Sequence, residues 1–156
     1  QNEGTMICEH LLGFISASAG VDESNSEPGT VITLPNDPDA SARKIGRTLE
    51  NRFGVQIGIV ITDTFGRPWR LGQLNVAIGL YGVPAITSEV GTKDAWGRDL
   101  SVTEAALCDE LAAASGLLIK KAAKTPIVLF RGLKWTTEEK TSALNILRSN
   151  SEDMFR

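Results

Sequence analysis

The stretch from Val55 to Gln73 constrains this chain more than any other. It opens with a seven-residue apolar run, Val55 to Ile61, broken only by Gln56 and Gly58. A short run rich in Val and Ile reads as a buried strand. The chain then passes through Thr62-Asp63-Thr64-Phe65-Gly66-Arg67-Pro68-Trp69-Arg70-Leu71-Gly72-Gln73. Gly66 and Pro68 mark a loop, so the strand is expected to deliver a carboxylate, a hydroxyl, two guanidiniums and an amide to its end. Binding groups commonly sit on such loops, where a rigid element positions them. An Asp facing Arg residues suits a phosphate-bearing ligand with a divalent cation, the carboxylate for metal and the guanidiniums for phosphate oxygens. The alternative is a surface turn in which Asp63 pairs with Arg67 or Arg70 and nothing binds.

Composition narrows the class. At 156 residues, 42% hydrophobic and 22% charged, the chain is long enough for one domain with a real core and too short to expect two. A net charge of -3, without runs of Lys or Arg, offers no attraction to nucleic acid or anionic membranes. No apolar stretch approaches the length of a membrane span, and no signal peptide is visible after Gln1. Cys8 and Cys108 are too few for a disulfide framework and read as free thiols of a reducing cytoplasm. His10 is the single histidine, so multi-His metal sites are excluded. The first residue is not Met, which suggests a fragment or a processed form.

Around the central motif the chain mixes strands and helices. Leu11 to Ser16 and Thr30 to Leu34 read as strands. Between them, Gly20 with Asp22, Ser24 and Asn25 forms a turn that either lines the same site or is a backbone-bonding Asx turn. Asp37 or Asp39 caps a helix over Ala40 to Phe53, with an apolar face at 42, 45, 49 and 53 and a stop at Gly54. Arg43, Lys44, Arg47 and Arg52 form its solvated face. Leu74 to Tyr81 and Ala85 to Ser88 read as strands. Val90 to Leu100 is a mixed-charge loop. Ser101 and Glu104 fit a capping box opening a helix over Val102 to Lys121, which accounts for Glu104 without any metal; Asp109 and Glu110 are expected in solvent. Pro126 to Arg131 reads as a buried strand, and Thr136 with Glu139 opens a helix reaching about Arg148. Met154-Phe155 closes the tail as a docking element. Without strict β-α-β alternation, the class is α+β, a mixed or antiparallel sheet with flanking helices. Neither common glycine-rich nucleotide loop is present.

The run Asp63-Thr64-Phe65-Gly66-Arg67-Pro68-Trp69-Arg70, followed by Gly72-Gln73 and Val76-Ala77-Ile78-Gly79, resembles the core signature of the coenzyme F420-0:L-glutamate ligases. Ala19-Gly20-Val21-Asp22 with Ser24-Asn25, Asp109-Glu110-Leu111-Ala112-Ala113-Ala114, and Arg131-Gly132-Leu133 with Glu152-Asp153-Met154-Phe155-Arg156 agree in the same order. The resemblance implies a GTP-dependent ligase that uses Mg2+ or Mn2+, assisted by a monovalent cation such as K+. It attaches L-glutamate through a γ-linked amide to a phosphorylated deazaflavin precursor. It further implies a γ-glutamyl ligase-like α+β fold in an intertwined homodimer. By motif position, catalysis falls to Asp63, Arg67 and Arg70, and metal to Asp63, Thr103 and Glu104. Nucleotide and substrate contacts fall to Asp22, Ser24, Asn25, Thr64, Gly66 and Gln73. Ser16-Ala17-Ser18 stands where the family more often has Cys-Ala-Asn, and Leu12 where glycine is frequent. The family's additional N-terminal region, which supplies part of the guanine-nucleotide site, lies before Gln1. Two other readings compete: a non-catalytic dimeric binding module, and a metal-dependent phosphatase-like hydrolase.

Overall fold

A computed structural model describes residues 4, 6–137 and 140–153. Its secondary structure is α+β: β1 (Ile7–Glu9), β2 (Ile15–Ala17), α1 (Pro38–Phe53), β3 (Ile59–Arg67), β4 (Arg70–Tyr81), β5 (Thr87–Ser88), β6 (Glu104–Ala105) and α2 (Leu107–Ser115), with 3₁₀ turns at Ser18–Gly20 and Ala143–Ile146. The strands pair as three antiparallel ladders, β1 with β2, β3 with β4, and β5 with β6. Among the described residues every named strand is antiparallel to its partner, so the expected antiparallel component is present.

The long β3–β4 hairpin is the spine, and both helices pack on β4. Asp37 caps α1 by accepting from Ala40 N at 2.7 Å, and Gly54 ends it in the left-handed conformation at φ 63°. The buried face of α1 is Pro38, Ala42 and Gly46, rotated from the expected stripe; Ile45 and Phe53 stay exposed. Small residues win this face because the approach to β4 is very close. A Cβ on Gly79 would lie 2.5 Å from the Pro38 carbonyl carbon, and one on Gly46 would meet the Tyr81 ring at 2.1 Å. Asp39 locks the same junction, accepting from Leu80 N at 2.7 Å and from Ala143 N at 3.2 Å. The core that results is small-sided: Ala77, Leu80, Val83, Ala85, Cys108, Ala112 and Ala143. Burial pushes the Cys108 thiol up to about 11, an inert packing thiol.

Several expected elements resolve differently. Of the strand expected at Leu11 to Ser16 only Ile15 and Ser16 are strand, in β2; Leu11 to Gly13 are the turn that joins β2 to β1. Thr30 to Leu34 forms only an isolated bridge, Ile32 to Asp22. The capping box at Ser101 does not form, because Glu104–Ala105 pairs with Thr87–Ser88 as β6. α2 therefore starts at Leu107 and stops before Gly116, against which the Asn75 amide packs. Asp109 is not in solvent: its Oδ1 accepts from Ala77 N at 2.8 Å, pinning α2 to β4. Among the described residues Pro126 to Arg131 joins no named strand, and the last expected helix contracts to the 3₁₀ turn at Ala143–Ile146. Glu139 of the second capping box, and Met154 with Phe155, lie outside the described residues.

Candidate active site

The central motif does not end in a loop. β3 continues through Asp63, Thr64, Phe65 and Gly66 to Arg67, pairing Asp63 with Val76, Phe65 with Leu74 and Arg67 with Arg70. Only Pro68 and Trp69 form the turn. The register shift beside Arg67 is absorbed at Leu71 and Gly72, where Gly72 sits at φ 87° and Arg67 Nη2 donates to Leu71 O at 2.7 Å. Such a bulge re-aims side chains while keeping the strand rigid. Strand alternation then sorts the motif. Asp63, Phe65 and Arg67 share one face, and Thr64 lies on the other, its Oγ1 donating to Asn75 Oδ1 at 3.0 Å.

Asp63 is half-buried, and the loop from Ser18 to Asn25 closes over it. A Cβ on Gly20 would stand 3.9 Å from Asp63 Oδ2. This loop is held in an unusual backbone state, with Ser18, Ala19 and Gly20 at φ 52°, 53° and 72° and Asn25 at φ 59°. Non-glycine residues in that region cost free energy and cluster at functional sites. Asp22 is fixed by two backbone bonds to Ile32, and its carboxylate accepts from Ser24 N at 2.8 Å and Ser24 Oγ at 2.6 Å. The Asx-type turn is therefore formed, but it does not use up the carboxylate. Lys121 reaches across the chain to Asp22 Oδ2 at 2.7 Å and Ser24 Oγ at 2.6 Å, while its carbonyl accepts from Asn25 Nδ2 at 2.9 Å.

The two carboxylates are driven in opposite directions. The hydrogen bond from Lys121, then those from Ser24, hold the Asp22 carboxyl well below the usual range. Burial, with a further push from the Asp22 charge, raises Asp63. A strongly divided pair of acids on a strand and a strained loop is a physical mark of a functional site. The cation serving it is Lys121, not Arg67 or Arg70. Arg67 lies four residues along the strand, about 13 Å at the usual rise, and Arg70, Gly66 and Gln73 belong to the tip of the hairpin. Nothing in the sequence pattern singled out Lys121, which lies 99 residues from Asp22.

Thr103 and Glu104 stand on a different ladder from Asp63. The Thr103 carbonyl accepts from Glu89 N at 2.9 Å, and Glu104 belongs to β6, whose partner is β5. In the loop before them, charges pair with one another: Lys93 with Asp99 at 2.8 Å and Arg98 with Asp94 at 3.3 Å. Among the described residues no three His, Cys, Asp or Glu side chains converge on one point. Nor is any helix there long and apolar enough to cross a membrane.

Comparison with known proteins agrees with the motif resemblance. Residues 1–132 match the family model for F420-0:gamma-glutamyl ligase. The chain is 49% identical over 155 residues to a coenzyme F420:L-glutamate ligase of Methanopyrus kandleri, covering 97% of this chain and 62% of that one. It is 41% identical over 152 residues to the ligase of the same name from Methanosarcina mazei, covering 97% and 60%. The chain thus spans about three-fifths of the length of these relatives. A strained loop, a half-buried Asp on a rigid hairpin and an intact signature over that length lead to one conclusion: the chain belongs to the F420-0:gamma-glutamyl ligase family.

Proposed function

We propose that the protein is an amide-forming ligase that joins L-glutamate, through its amine, to a carboxylate on a coenzyme F420 precursor at the expense of GTP. The observation that carries the reading is the Asp63 environment: a half-buried carboxylate beside Asp22 and Lys121, within a family whose members bear the ligase name. In the reaction, a carboxylate oxygen of the acceptor takes the terminal phosphoryl group of the nucleotide, and the nucleoside diphosphate leaves. The glutamate amine then attacks the acyl carbon, its C–N bond forms, inorganic phosphate departs with the C–O pair, and a proton leaves the nitrogen.

The residues divide this work by charge. Asp22 and Asp63 offer carboxylate oxygens of the kind Mg2+ and Mn2+ take, and such ions commonly bind through one or two carboxylates with phosphate and water completing the shell. That donor pair fits a nucleotide-bound cation. A cation held there would neutralise charge on the transferring phosphoryl group. Lys121, positioned by Asp22 and Ser24, supplies a fixed positive charge to phosphate oxygens. Arg67 and Arg70, farther along the hairpin, meet the acceptor. The active form is read as a homodimer, supported by the exposed apolar edge at Ile127 and Leu129.

The test is phosphate release by the full-length protein given GTP, Mg2+ and the acceptor, with and without L-glutamate. Release that requires glutamate supports the ligase, whereas equal release without it identifies a hydrolase. Binding without turnover identifies the non-catalytic module. Asp63→Asn is expected to lower the rate at least a hundredfold with the melting temperature kept; full activity in that variant removes Asp63 from the mechanism.

A further inference from the structure

We infer that His10 is a pH-sensitive latch: its neutral ring holds Leu12 as part of the wall between two cavities, and protonation releases that wall. The chain passes from β1 to β2 through the turn Leu11-Leu12-Gly13. His10 and Phe14 close it, His10 N donating to Phe14 O and Gly13 N to His10 O, each at 2.8 Å. One further bond fixes its middle. Leu12 N donates to His10 Nδ1 at 3.1 Å, the same two-residue reach that Asn and Asp side chains use in an Asx turn. Leu11 is exposed, but Leu12 is half-buried. With Ile78 and Leu144 it lines both a cavity of about 710 Å³ beside the hairpin and a second of about 340 Å³ at the start of α1. These three residues stand between the two spaces. The turn itself is packed: a Cβ on Gly13, which sits at φ 88°, would stand 3.2 Å from Leu147 Cδ1.

Nδ1 accepts only while the imidazole is neutral and its proton is on Nε2. Histidine is the side chain whose ordinary ionisation falls between pH 5 and 8. In the cation both ring nitrogens carry hydrogen, so no rotation of the ring restores an acceptor to Leu12. Nor does the ring swing away. It stacks on Phe14 with centroids 4.9 Å apart and planes at 3°, and Phe14 meets Phe65 of β3 at 4.9 Å. A charge on the imidazole strengthens its contact with the aromatic face. Protonation thus leaves the ring in place and turns an acceptor into an N–H that faces another N–H. The part that yields is Leu12.

The titratable or charged groups on the segments around this turn are Cys8 and Glu9 on β1, Asp63 and Arg67 on β3, and Arg148 with Asp153 beyond Leu147. Among the described residues no carboxylate forms an ion pair with the imidazole. Across the second cavity Asp37 and Asp39 already accept from Ala40 N and Leu80 N, and Arg43 is the cation there. The ring is therefore coupled to the fold through the Leu12 amide and the Phe14 stack, not through a charged neighbour. The latch is closed above the range of imidazole ionisation and open below it. It does not depend on the ligase reading.

The experiment is an NMR titration of the full-length protein from pH 8 to pH 5, with 15N throughout and 13C at the Leu and Ile methyls. At pH 8 the His10 ring nitrogens should show the Nε2–H tautomer. As the ring protonates, protection of the Leu12 amide against water exchange, corrected for its intrinsic pH dependence, should fall about two- to tenfold, the range of one lost hydrogen bond. Leu12 methyl contacts with Ile78 and Leu144 should weaken with the same midpoint. His10→Asn offers an acceptor at the same reach at every pH, so its Leu12 amide should stay protected throughout. His10→Phe keeps the stack and has no acceptor, so its Leu12 should be released already at pH 8. The inference is overturned by an Nδ1–H tautomer at pH 8, by a Leu12 amide that does not follow the His10 titration, or by a His10→Asn protein that responds as the parent does. The first two are read on the parent alone, so a variant that folds poorly leaves the test intact. Loss of glutamate-dependent phosphate release bears on the ligase reading and leaves the latch standing.

Discussion

Asp22 and Asp63 show how far local surroundings separate two identical side chains. Asp22 has its folded-state pKa lowered by the Lys121 and Ser24 hydrogen bonds. Its contribution to stability is therefore present above the ordinary value of 3.8 and is lost as pH falls toward the folded value. Asp63 is raised by burial, so its contribution has the opposite sign: present below 3.8 and lost as pH rises through the folded value. Lys121→Met should remove the largest part of the first contribution, leaving the Ser24 bonds, and should raise Asp63 further, because the Lys121 charge also lowers it. Because Lys121 and Asp22 are 64% and 49% exposed, screening keeps the loss near neutral pH to under about 1 kcal/mol. Melting curves of parent and variant at pH 7 and pH 2.5 should differ at the first pH and by less at the second, where the contribution has begun to fall. A gap of equal size at both would mean that Lys121 acts through packing rather than charge. Asp63→Asn, by removing a half-buried charge, should melt at or above the parent temperature at pH 7.

At the scale of elements, what was legible depended on whether the signal was local. α1 announced itself through Asp37, the helical spacing of its apolar residues and Gly54, all within one stretch of chain. Its buried face did not, because it is set by β4: the helix turns Pro38, Ala42 and Gly46 inward where glycines let backbones meet. The central motif is legible in the sequence, but its shape is not. Gly66 and Pro68 look like loop residues, yet a two-residue turn with a bulge at Gly72 lets the strand run to Arg67. Capping-box chemistry at Ser101 and Glu104 was equally plausible, and lost to pairing between β5 and β6. Lys121 was invisible because its partners are distant in sequence. The α1–β4 junction makes a direct test. In Gly79→Ala the new methyl would stand 2.6 Å from the Pro38 carbonyl oxygen, and neither backbone can yield without parting the helix from the strand. Destabilisation of about 2–4 kcal/mol is expected, read as a fall in the urea midpoint; a loss under about 0.5 kcal/mol would show the contact to be looser than drawn.

At the scale of the molecule, the surface is incompletely covered. Pro126 to Arg131 joins no named strand, and Ile127 and Leu129 are 80% and 62% exposed and Phe130 39%. The apolar residues that suggested a buried strand are there, but no ladder among the described residues receives them. Clustered exposed apolar side chains of this kind are surface that proteins usually cover with a partner. Burying each of these side chains is worth about 1.5–3 kcal/mol, enough for three or four of them to hold an interface once ordering costs are met. Leu11 at 102% and Val102 at 85% extend the same argument beyond a single segment. A second copy is the occupant our functional reading supplies, so light scattering on the full-length protein should give twice the chain mass. Leu129→Asp, placing a charge on the edge without touching the Asp63 site, should shift that mass toward the monomer and lower activity with it. A dimer that survives Leu129→Asp together with Ile127→Asp would assign this edge to another part of the same full-length chain. A monomeric parent would remove the dimer from the reading while leaving the chemistry at Asp63 to be judged on its own.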